Sequence, residues 1–200
     1  MGILNRIVQS TAPWMPKIVI GRIASVYVAG DKLEDGIDLV RKLNKKGFVG
    51  TLDLLGEEVK NRRGITKTTN SYCDLIDGIA NSGVDCNISL KLTAIGLKVD
   101  ESLCWDNLSV ILDKAKTYNT FVRMDMEDSE VTESTIKMCK KAVNYYSNCG
   151  TVLQAYMYRT IDDIDLLKGP NTNIRLCKGA YKESKDIAIQ DYNKIRENYV

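Results

Sequence analysis

From residue 31 onward the chain alternates between two kinds of hydrophobic pattern. The stretch 31–47, DKLEDGIDLVRKLNKKG, has apolar residues three or four positions apart, which is typical of an amphipathic helix. Asp31 and Glu34 at its start have the spacing of a capping box, and Gly47 suits its end. This stretch therefore predicts a surface helix that packs one face on a core.

Short apolar runs separate this helix from further amphipathic segments. The runs with strand character cover 48–56, 87–93, 120–127, 151–158 and 173–179. Helical patterns cover 67–82, 103–118, 132–148, 160–168 and a segment from 184 onward. Thr132 is the predicted start of one of these helices, and Thr160 with Asp163 the predicted cap of the next. Strands that alternate with helices in this way are typical of βαβ units and a parallel sheet.

Polar side chains stand at or near the C-terminal end of every predicted strand. They are Asp53, Lys91, Asp125, Gln154, Arg175 and Lys178. A doubly wound open sheet concentrates function at one switch point, whereas a barrel gathers all strand ends around one mouth. The pattern therefore favours an α/β fold of the (β/α)8 TIM-barrel type, of which about five βα units are present in this chain. We interpret residues 1–30 as an N-terminal arm and residues 31–200 as one barrel domain.

Lys91 is the most distinctive of these polar residues. Leu90 and Leu92 flank it, and a lysine within a buried strand is rare unless it is paired or functional. Lys91, Asp125 and Arg175 point to the same side if their strands share one phase. We therefore expect a charged cluster that can hold a small charged substrate.

Two further stretches have both a structural and a functional interpretation. In 122–128, VRMDMED, alternate charged residues share one strand face, either as an ion-paired strand end or as a site in which Asp125 holds a neighbouring Lys or Arg. In 178–181, KGAY, the glycine indicates an ordinary turn or a backbone that approaches a phosphate. The cations Arg175 and Lys178 favour the second interpretation, a phosphate-binding backbone, because a bound diphosphate requires positive charges nearby.

The amino-acid composition excludes several classes of partner, catalytic site and metal site. The net charge of +2 gives no overall attraction to nucleic acid, so no such partner is expected. The chain has no histidine, which excludes Ser-His-Asp triads and His-ligated metals, and its six cysteines lack zinc-ligand spacing, so no metal is expected. We see no secretory leader and therefore expect reduced thiols in a cytoplasmic protein. Neither G-x-G-x-x-G nor a P-loop is present.

Five motifs, in chain order, resemble the strand motifs of proline dehydrogenase, the flavin enzyme of proline breakdown. They are GTLDLLGE, ISLKLTAIGL, FVRMDMEDS, VLQAYMYRT and IRLCKGAYKE. The resemblance covers roughly residues 22–190 and keeps the order and spacing of the family. It implies a (β/α)8 barrel with FAD across its C-terminal mouth. The implied reaction is oxidation of L-proline to 1-pyrroline-5-carboxylate, with hydride transfer to flavin N5.

The same resemblance implies a role for each matching residue. Lys91 matches a lysine beside the substrate, and Asp125 and Arg175 match catalytic residues of the active site, with Arg175 near the flavin. The implied FAD-binding residues are Met126, Gln154, Lys178, Gly179 and Ala180. The family also implies a quinone or similar electron acceptor, and it leaves peripheral membrane contact and self-association open.

One feature departs from the family pattern. The family continues with three more strands and a final helix, whose arginine pair holds the carboxylate of proline, whereas this sequence stops at RENYV. We therefore expect the N-terminal two-thirds of the enzyme, truncated at the C-terminus and with little activity unless the missing strands are supplied. A Schiff-base aldolase on the same barrel, with Lys91 or Lys178 as the amine, is the alternative chemistry.

Overall fold

The computed structural model of the chain describes residues 28–55 and 59–200. The α-helices are α1 (Leu33–Asn44), α2 (Arg62–Ser82), α3 (Glu101–Thr117), α4 (Ser129–Ala142), α5 (Thr160–Leu167) and α6 (Tyr192–Tyr199). The strands are β1 (Gly50–Asp53), β2 (Cys86–Leu90), β3 (Val122–Met124), β4 (Cys149–Gln154) and β5 (Ile174–Cys177). A short 3-10 helix, Leu92–Ile95, follows β2 in a region predicted as strand end and loop. The N-terminal arm predicted at 1–30 lies almost entirely outside the described residues.

The five strands form one parallel sheet in the order β1-β2-β3-β4-β5. Each strand therefore pairs with the next strand along the chain, and a helix lies in each connection. A doubly wound sheet reverses its order at a switch point, and the described strands contain no reversal. The open-sheet alternative is therefore wrong, and the sequential order is that of a barrel wall.

Side chains alternate between the two faces of this wall. The outer face carries residues that are fully buried in the main hydrophobic core, namely Ile88, Leu90, Val122 and Met124. The same core includes apolar side chains of α2, α3 and α4. The register places the polar residues Asp53, Ser89 and Arg123 side by side on the opposite face. Burial of one such apolar side chain is worth about 1.5–3 kcal/mol, so the outer layer determines which face points inward.

Arg123 connects three strands on the inner face. Its Nη1 donates to the carbonyl oxygens of Thr151 and Asn173, each at 3.1 Å. A Cβ at Gly150 would lie 3.0 Å from Nη1 of Arg123 and 2.2 Å from the carbonyl oxygen of Asn173. The absence of a side chain at Gly150 therefore lets the guanidinium reach from β3 past β4 to the start of β5.

The first two helices begin at residues other than the predicted ones. The N-cap of α1 is Lys32, whose N–H donates to Oδ2 of Asp35 at 3.3 Å, so the capping box predicted at 31–34 is wrong. The N-cap of α2 is Asn61, whose Oδ1 accepts from the N–H of Gly64 at 2.8 Å. This cap starts α2 at residue 62 instead of 67, because it satisfies an N–H group that otherwise has no partner in the first turn.

The fourth helix was also predicted with the wrong limits. It begins at Ser129 because Asp128 is its N-cap, with Oδ1 accepting from the N–H of Glu130 at 3.2 Å. Thr132, the predicted start, lies inside the helix, where its hydroxyl donates to the carbonyl oxygen of Asp128 at 3.0 Å. The helix ends at Ala142, and β4 follows at residue 149.

Thr160 and Asp163 do not form the predicted cap of α5. The N-cap residue is Arg159, which makes no side-chain capping bond. The hydroxyl of Thr160 donates instead to the carbonyl oxygen of Gln154 at 2.6 Å, and Asp163 accepts from Nε of Arg159 at 2.9 Å. Thr160 therefore connects α5 to the end of β4, whereas Asp163 binds the N-cap residue itself, and the first turn has no side-chain cap.

Two kinds of feature are missing from the described ranges, 28–55 and 59–200. No helix there is both long and apolar enough to cross a membrane. No cluster of three or more Asp, Glu, Cys or His side chains there could hold a metal ion.

Candidate active site

Polar side chains at the C-terminal ends of the strands meet on the inner face, at the end of the wall that forms the mouth of a barrel. Arg175 of β5 and Asp125, one residue past β3, form an ion pair with 2.7 Å between Nη2 and Oδ1. The side chain of Arg175 is 47% exposed and that of Asp125 is 21% exposed, so the pair lies where the wall meets open space. The structure thus brings two of the predicted site residues into direct contact.

Burial and positive charge act on Asp125 in opposite directions. Burial raises the pKa of its carboxyl above the ordinary value. The charge of Arg175, a hydrogen bond with Ser89 and the charge of Lys91 lower it. Burial is the larger effect, so the cations offset only part of the free-energy cost of removing this carboxylate from water.

Lys91 lies immediately after β2, as the N-cap residue of the 3-10 helix, and not inside a strand as predicted. Its neighbours Leu90 and Leu92 are fully buried, whereas Lys91 is half-buried. The charge of Lys91 lowers the pKa of both Asp53 and Asp125. Its positive charge therefore acts on both carboxylates of the charged cluster expected from the sequence.

Tyr72 and Asp53 form a hydrogen bond that the sequence analysis missed. The Tyr72 hydroxyl donates to Oδ1 of Asp53 at 3.0 Å, and Tyr72 is 1% exposed on α2. Burial raises the pKa of Asp53, and the bond from Tyr72 opposes that rise. Burial and the Asp53 carboxylate also raise the pKa of Tyr72, so its hydroxyl stays protonated and donates. The available signal was the helical spacing of Tyr72 from Ile76 on the apolar face of α2.

The segment after β5 turns at Gly179. The φ angle of Gly179 is +110°, a conformation that favours glycine. A Cβ there would lie 2.2 Å from Cδ1 of Tyr156, whose ring packs against the glycine backbone. Burial raises the pKa of Tyr156 to about 12, so the ring stays neutral. Position 179 therefore requires glycine for two independent reasons, the φ angle and the contact with the Tyr156 ring.

Gln154, the last residue of β4, joins the segments that follow β3 and β5. Its Nε2 donates to the carbonyl oxygen of Glu127 at 2.9 Å, and its Oε1 accepts from the N–H of Ala180 at 3.4 Å. Gln154 is only 3% exposed. The structure therefore places this predicted flavin-contacting residue in a buried network that supports the mouth.

Glu127 is a second buried group that connects these segments. Its carboxylate accepts from the N–H and the hydroxyl of Thr93, at 3.2 and 2.6 Å. A regular strand would place Glu127 on the same face as Asp125, but β3 ends at Met124, and Glu127 binds the 3-10 helix instead. Met126, between the two acidic residues, is 7% exposed.

Lys178 contacts an aromatic residue of α6. Its Nζ lies 3.1 Å from the hydroxyl oxygen of Tyr192 and 5.1 Å from the centre of that ring. The hydrogen bond from Lys178 lowers the pKa of Tyr192. An ammonium group has three N–H donors, and this contact uses one of them, so Lys178 retains donors for an anionic ligand.

The described strands all lie within a match to a known protein family. A family model described as proline dehydrogenase matches residues 37–194, which include all the strands of the described wall. The chain belongs to the proline dehydrogenase family. The resemblance noted from the five motifs is therefore confirmed.

Curated members of the family match most of this chain. Proline dehydrogenase 2 of Bacillus subtilis subsp. natto is 35% identical over 198 residues, which are 99% of this chain and 63% of that protein. Proline dehydrogenase of Deinococcus radiodurans is 34% identical over 182 residues, which are 88% of this chain and 59% of that protein. The chain thus spans somewhat less than two-thirds of the length of these family members.

A solved structure confirms the fold of the family. The crystal structure of proline utilization A (PutA) from Bdellovibrio bacteriovorus, inactivated by N-propargylglycine, superposes with a TM-score of 0.84 at 20% identity. The match covers 92% of this chain and 24% of that one. The described strands therefore form half of a TIM-like barrel, as the strand-end pattern predicted.

Tyr72→Phe tests the hydrogen bond to Asp53. We expect the variant to lower the free energy of unfolding at pH 7 by about 1–3 kcal/mol, since a half-buried carboxylate loses its donor. Burial raises the pKa of Asp53 in the folded chain, so its ionised form destabilises the fold. This destabilisation disappears as the pH falls through that pKa and the carboxylate is protonated. The loss should therefore shrink in acid. Urea denaturation at pH 7 and at a pH below the pKa of Asp53 measures this loss. The variant Tyr158→Phe, at an exposed tyrosine, is the control. An equal loss at both values would contradict this assignment.

Gly179→Ala tests the requirement for glycine in the segment after β5. We expect it to destabilise the chain by about 1–3 kcal/mol, because alanine is strained at this φ angle. The added methyl group would also collide with Tyr156. Thermal unfolding measures the effect, and Ala180→Gly, one residue further on, is the matched control. Unchanged unfolding of Gly179→Ala would show that the turn accepts a side chain.

Proposed function

We propose that this mouth is a site for the FAD-dependent oxidation of L-proline to 1-pyrroline-5-carboxylate. The observation that carries the proposal is the ion pair of Arg175 with Asp125, beside Lys91, at the strand ends of a barrel in this family. Such a cluster combines fixed cations with carboxylates, and a zwitterionic amino acid requires both. The curated relatives are themselves proline dehydrogenases, which supports the same reaction.

The residues around Gly179 suit the cofactor. Lys178 carries a positive charge and retains N–H donors, so a diphosphate could approach this segment at the lysine. We assign FAD binding to Met126, Gln154, Lys178, Gly179 and Ala180. FAD, when bound, supplies the two-electron acceptor that amino-acid side chains lack. The guanidinium of Arg175 supplies positive charge, and Asp125 fixes its orientation.

The proline itself is assigned to Lys91 and its neighbours. The ammonium group of Lys91 forms a charge-assisted contact with the substrate, while Asp53 and Asp125 hold that ammonium group in the mouth through their charges. Contacts of this kind fix the substrate relative to the cofactor. A fixed orientation lowers the entropic part of the barrier to reaction.

The remaining assignments follow the family. The electron acceptor is a quinone or a compound of similar chemistry, and the protein acts in the cytoplasm. The Schiff-base aldolase considered from the sequence is not favoured, since the family match covers both lysines on which it depended. The low activity expected of these 200 residues alone stays a prediction, which an assay with proline, FAD and a dye acceptor would test.

A titration with FAD tests the cofactor assignment. We expect saturable quenching of flavin fluorescence by the purified chain, and weaker binding by Arg175→Ala and Lys178→Ala. The exposed residue Lys140, in the last turn of α4, provides the control variant Lys140→Ala. Added L-proline should then perturb the flavin absorbance band. The absence of saturable FAD binding would overturn the proposed function.

Lys91→Met tests the substrate assignment. We expect FAD affinity to stay within about twofold, because the lysine is assigned to the substrate, while proline binding and turnover fall by about one to two decades. That loss corresponds to a charge-assisted hydrogen bond of about 1.5–3 kcal/mol. Proline titration of the flavin spectrum measures binding, and Lys116→Met, an exposed lysine in the last turn of α3, is the control. Equal losses of flavin and of proline binding would show that Lys91 is structural.

A further inference from the structure

One carboxylate joins the segment after β5 to the start of α4. Oε1 of Glu183 accepts from the N–H of Ser129 at 2.8 Å, and Oε2 accepts from the Ser129 hydroxyl at 2.7 Å. The two residues are 54 positions apart in the sequence. Both Glu183 and Ser129 are half-buried, so the contact is partly shielded from water.

The contact occupies a position that favours a negative charge. Ser129 is the first residue of α4, and the N–H groups of a first helical turn have no partner within the helix. The N-cap, Asp128, accepts from the N–H of Glu130, which leaves the N–H of Ser129 for Glu183. The helix dipole adds attraction for a carboxylate at this end. Glu183 therefore completes the cap of α4 from a distant part of the chain.

The two segments joined by Glu183 are those assigned to the cofactor. Met126 lies three residues before Ser129, and Ala180 lies three residues before Glu183. Gln154 makes a second connection between the same segments, through the carbonyl oxygen of Glu127 and the N–H of Ala180. Two polar bridges, one buried and one nearer the surface, therefore link the two halves of the assigned cofactor site, in addition to the ion pair of Arg175 with Asp125.

Residues 187–190, further along the segment after β5, are bound to the segment that follows β4. The N–H of Ile189 donates to the carbonyl oxygen of Tyr156 at 2.7 Å, and Met157 forms an antiparallel bridge with Ala188. Nε2 of Gln190 also donates to the carbonyl oxygen of Glu183, at 3.3 Å. These contacts hold residues 187–190 on the segment that follows β4. The N–H of Tyr156 also donates to the carbonyl oxygen of Lys178 at 3.0 Å, which anchors the start of 178–183. Gln154 and Glu183 link the rest of 178–183 to the segment after β3 and to the start of α4.

We propose that Glu183 is a positioning residue, which holds the segment 178–183 against the N-terminus of α4 so that both cofactor segments face the same ligand. The proposal rests on the proposed function for the identity of that ligand. Glu183 acts through Ser129 and the backbone, and it needs no contact with FAD or proline. Loss of its carboxylate should therefore weaken FAD binding through the mobility of the segment.

The test compares Glu183→Ala, Glu183→Gln and Ser129→Ala with a control variant. The control, Asp186→Ala, removes an exposed carboxylate three residues after Glu183. Amide hydrogen exchange of the chain without FAD measures the segment directly. We expect Glu183→Ala to speed exchange at 178–183 and to weaken FAD binding by about tenfold, the scale of a lost charge-assisted hydrogen bond. Glu183→Gln keeps an acceptor oxygen and should restore part of both properties. Asp186→Ala should resemble the wild type.

The outcomes separate this proposal from the proposed function. Unchanged exchange at 178–183 in Glu183→Ala overturns the positioning role, whether or not the chain binds FAD. Faster exchange with unchanged FAD affinity also overturns it, because the contact would then serve only to cap α4. Absence of FAD binding by the wild type, together with faster exchange in Glu183→Ala, overturns the proposed function and leaves Glu183 as a structural cap.

Discussion

The ion pair between Arg175 and Asp125 is the interaction on which the mouth of the barrel depends. It joins β5 to the end of β3, although 50 residues of sequence and the whole of β4 separate them. A carboxylate as buried as Asp125 is costly unless cations face it, and Arg175 with Lys91 supplies them. The neighbouring Asp53 is subject to the same constraint, which the hydroxyl of Tyr72 relieves from the helix side. The mouth is therefore a set of charges whose positions depend on one another.

A second layer of hydrogen bonds holds the segments that carry these charges. Glu127 binds the 3-10 helix after β2, Gln154 connects the segments after β3 and β5, and Glu183 closes the start of α4. Most of these bonds end on backbone N–H or C=O groups, which substitutions other than proline in the partner segment leave in place. Buried and satisfied networks of this type restrict the chain to one arrangement. The positions of the charged side chains thus depend on all of these strand-end segments together.

Sequence patterns predicted the elements well where the determinants were local. All the predicted strands are present, and the apolar alternation that places Ile88 and Val122 outward also explains why Ser89 and Arg123 face inward. The first residues of several helices were predicted incorrectly. The choice of N-cap between neighbouring polar residues depends on which side chain can bend back to a free N–H group, as Asp128 does at α4. Periodicity contains no information about that choice.

The sequence by itself determined the family, the alternation of strands with helices and the identity of the strand-end residues, among them Lys91, Asp125 and Arg175. These follow from motifs and periodicities that near neighbours along the chain set. Only the tertiary structure decided which side chains touch. Tyr72 reaches Asp53 from a helix, and Glu183 reaches Ser129 across 54 residues. Contacts of this kind depend on strand register and helix packing, and a shift of one residue in either would give each side chain a different partner.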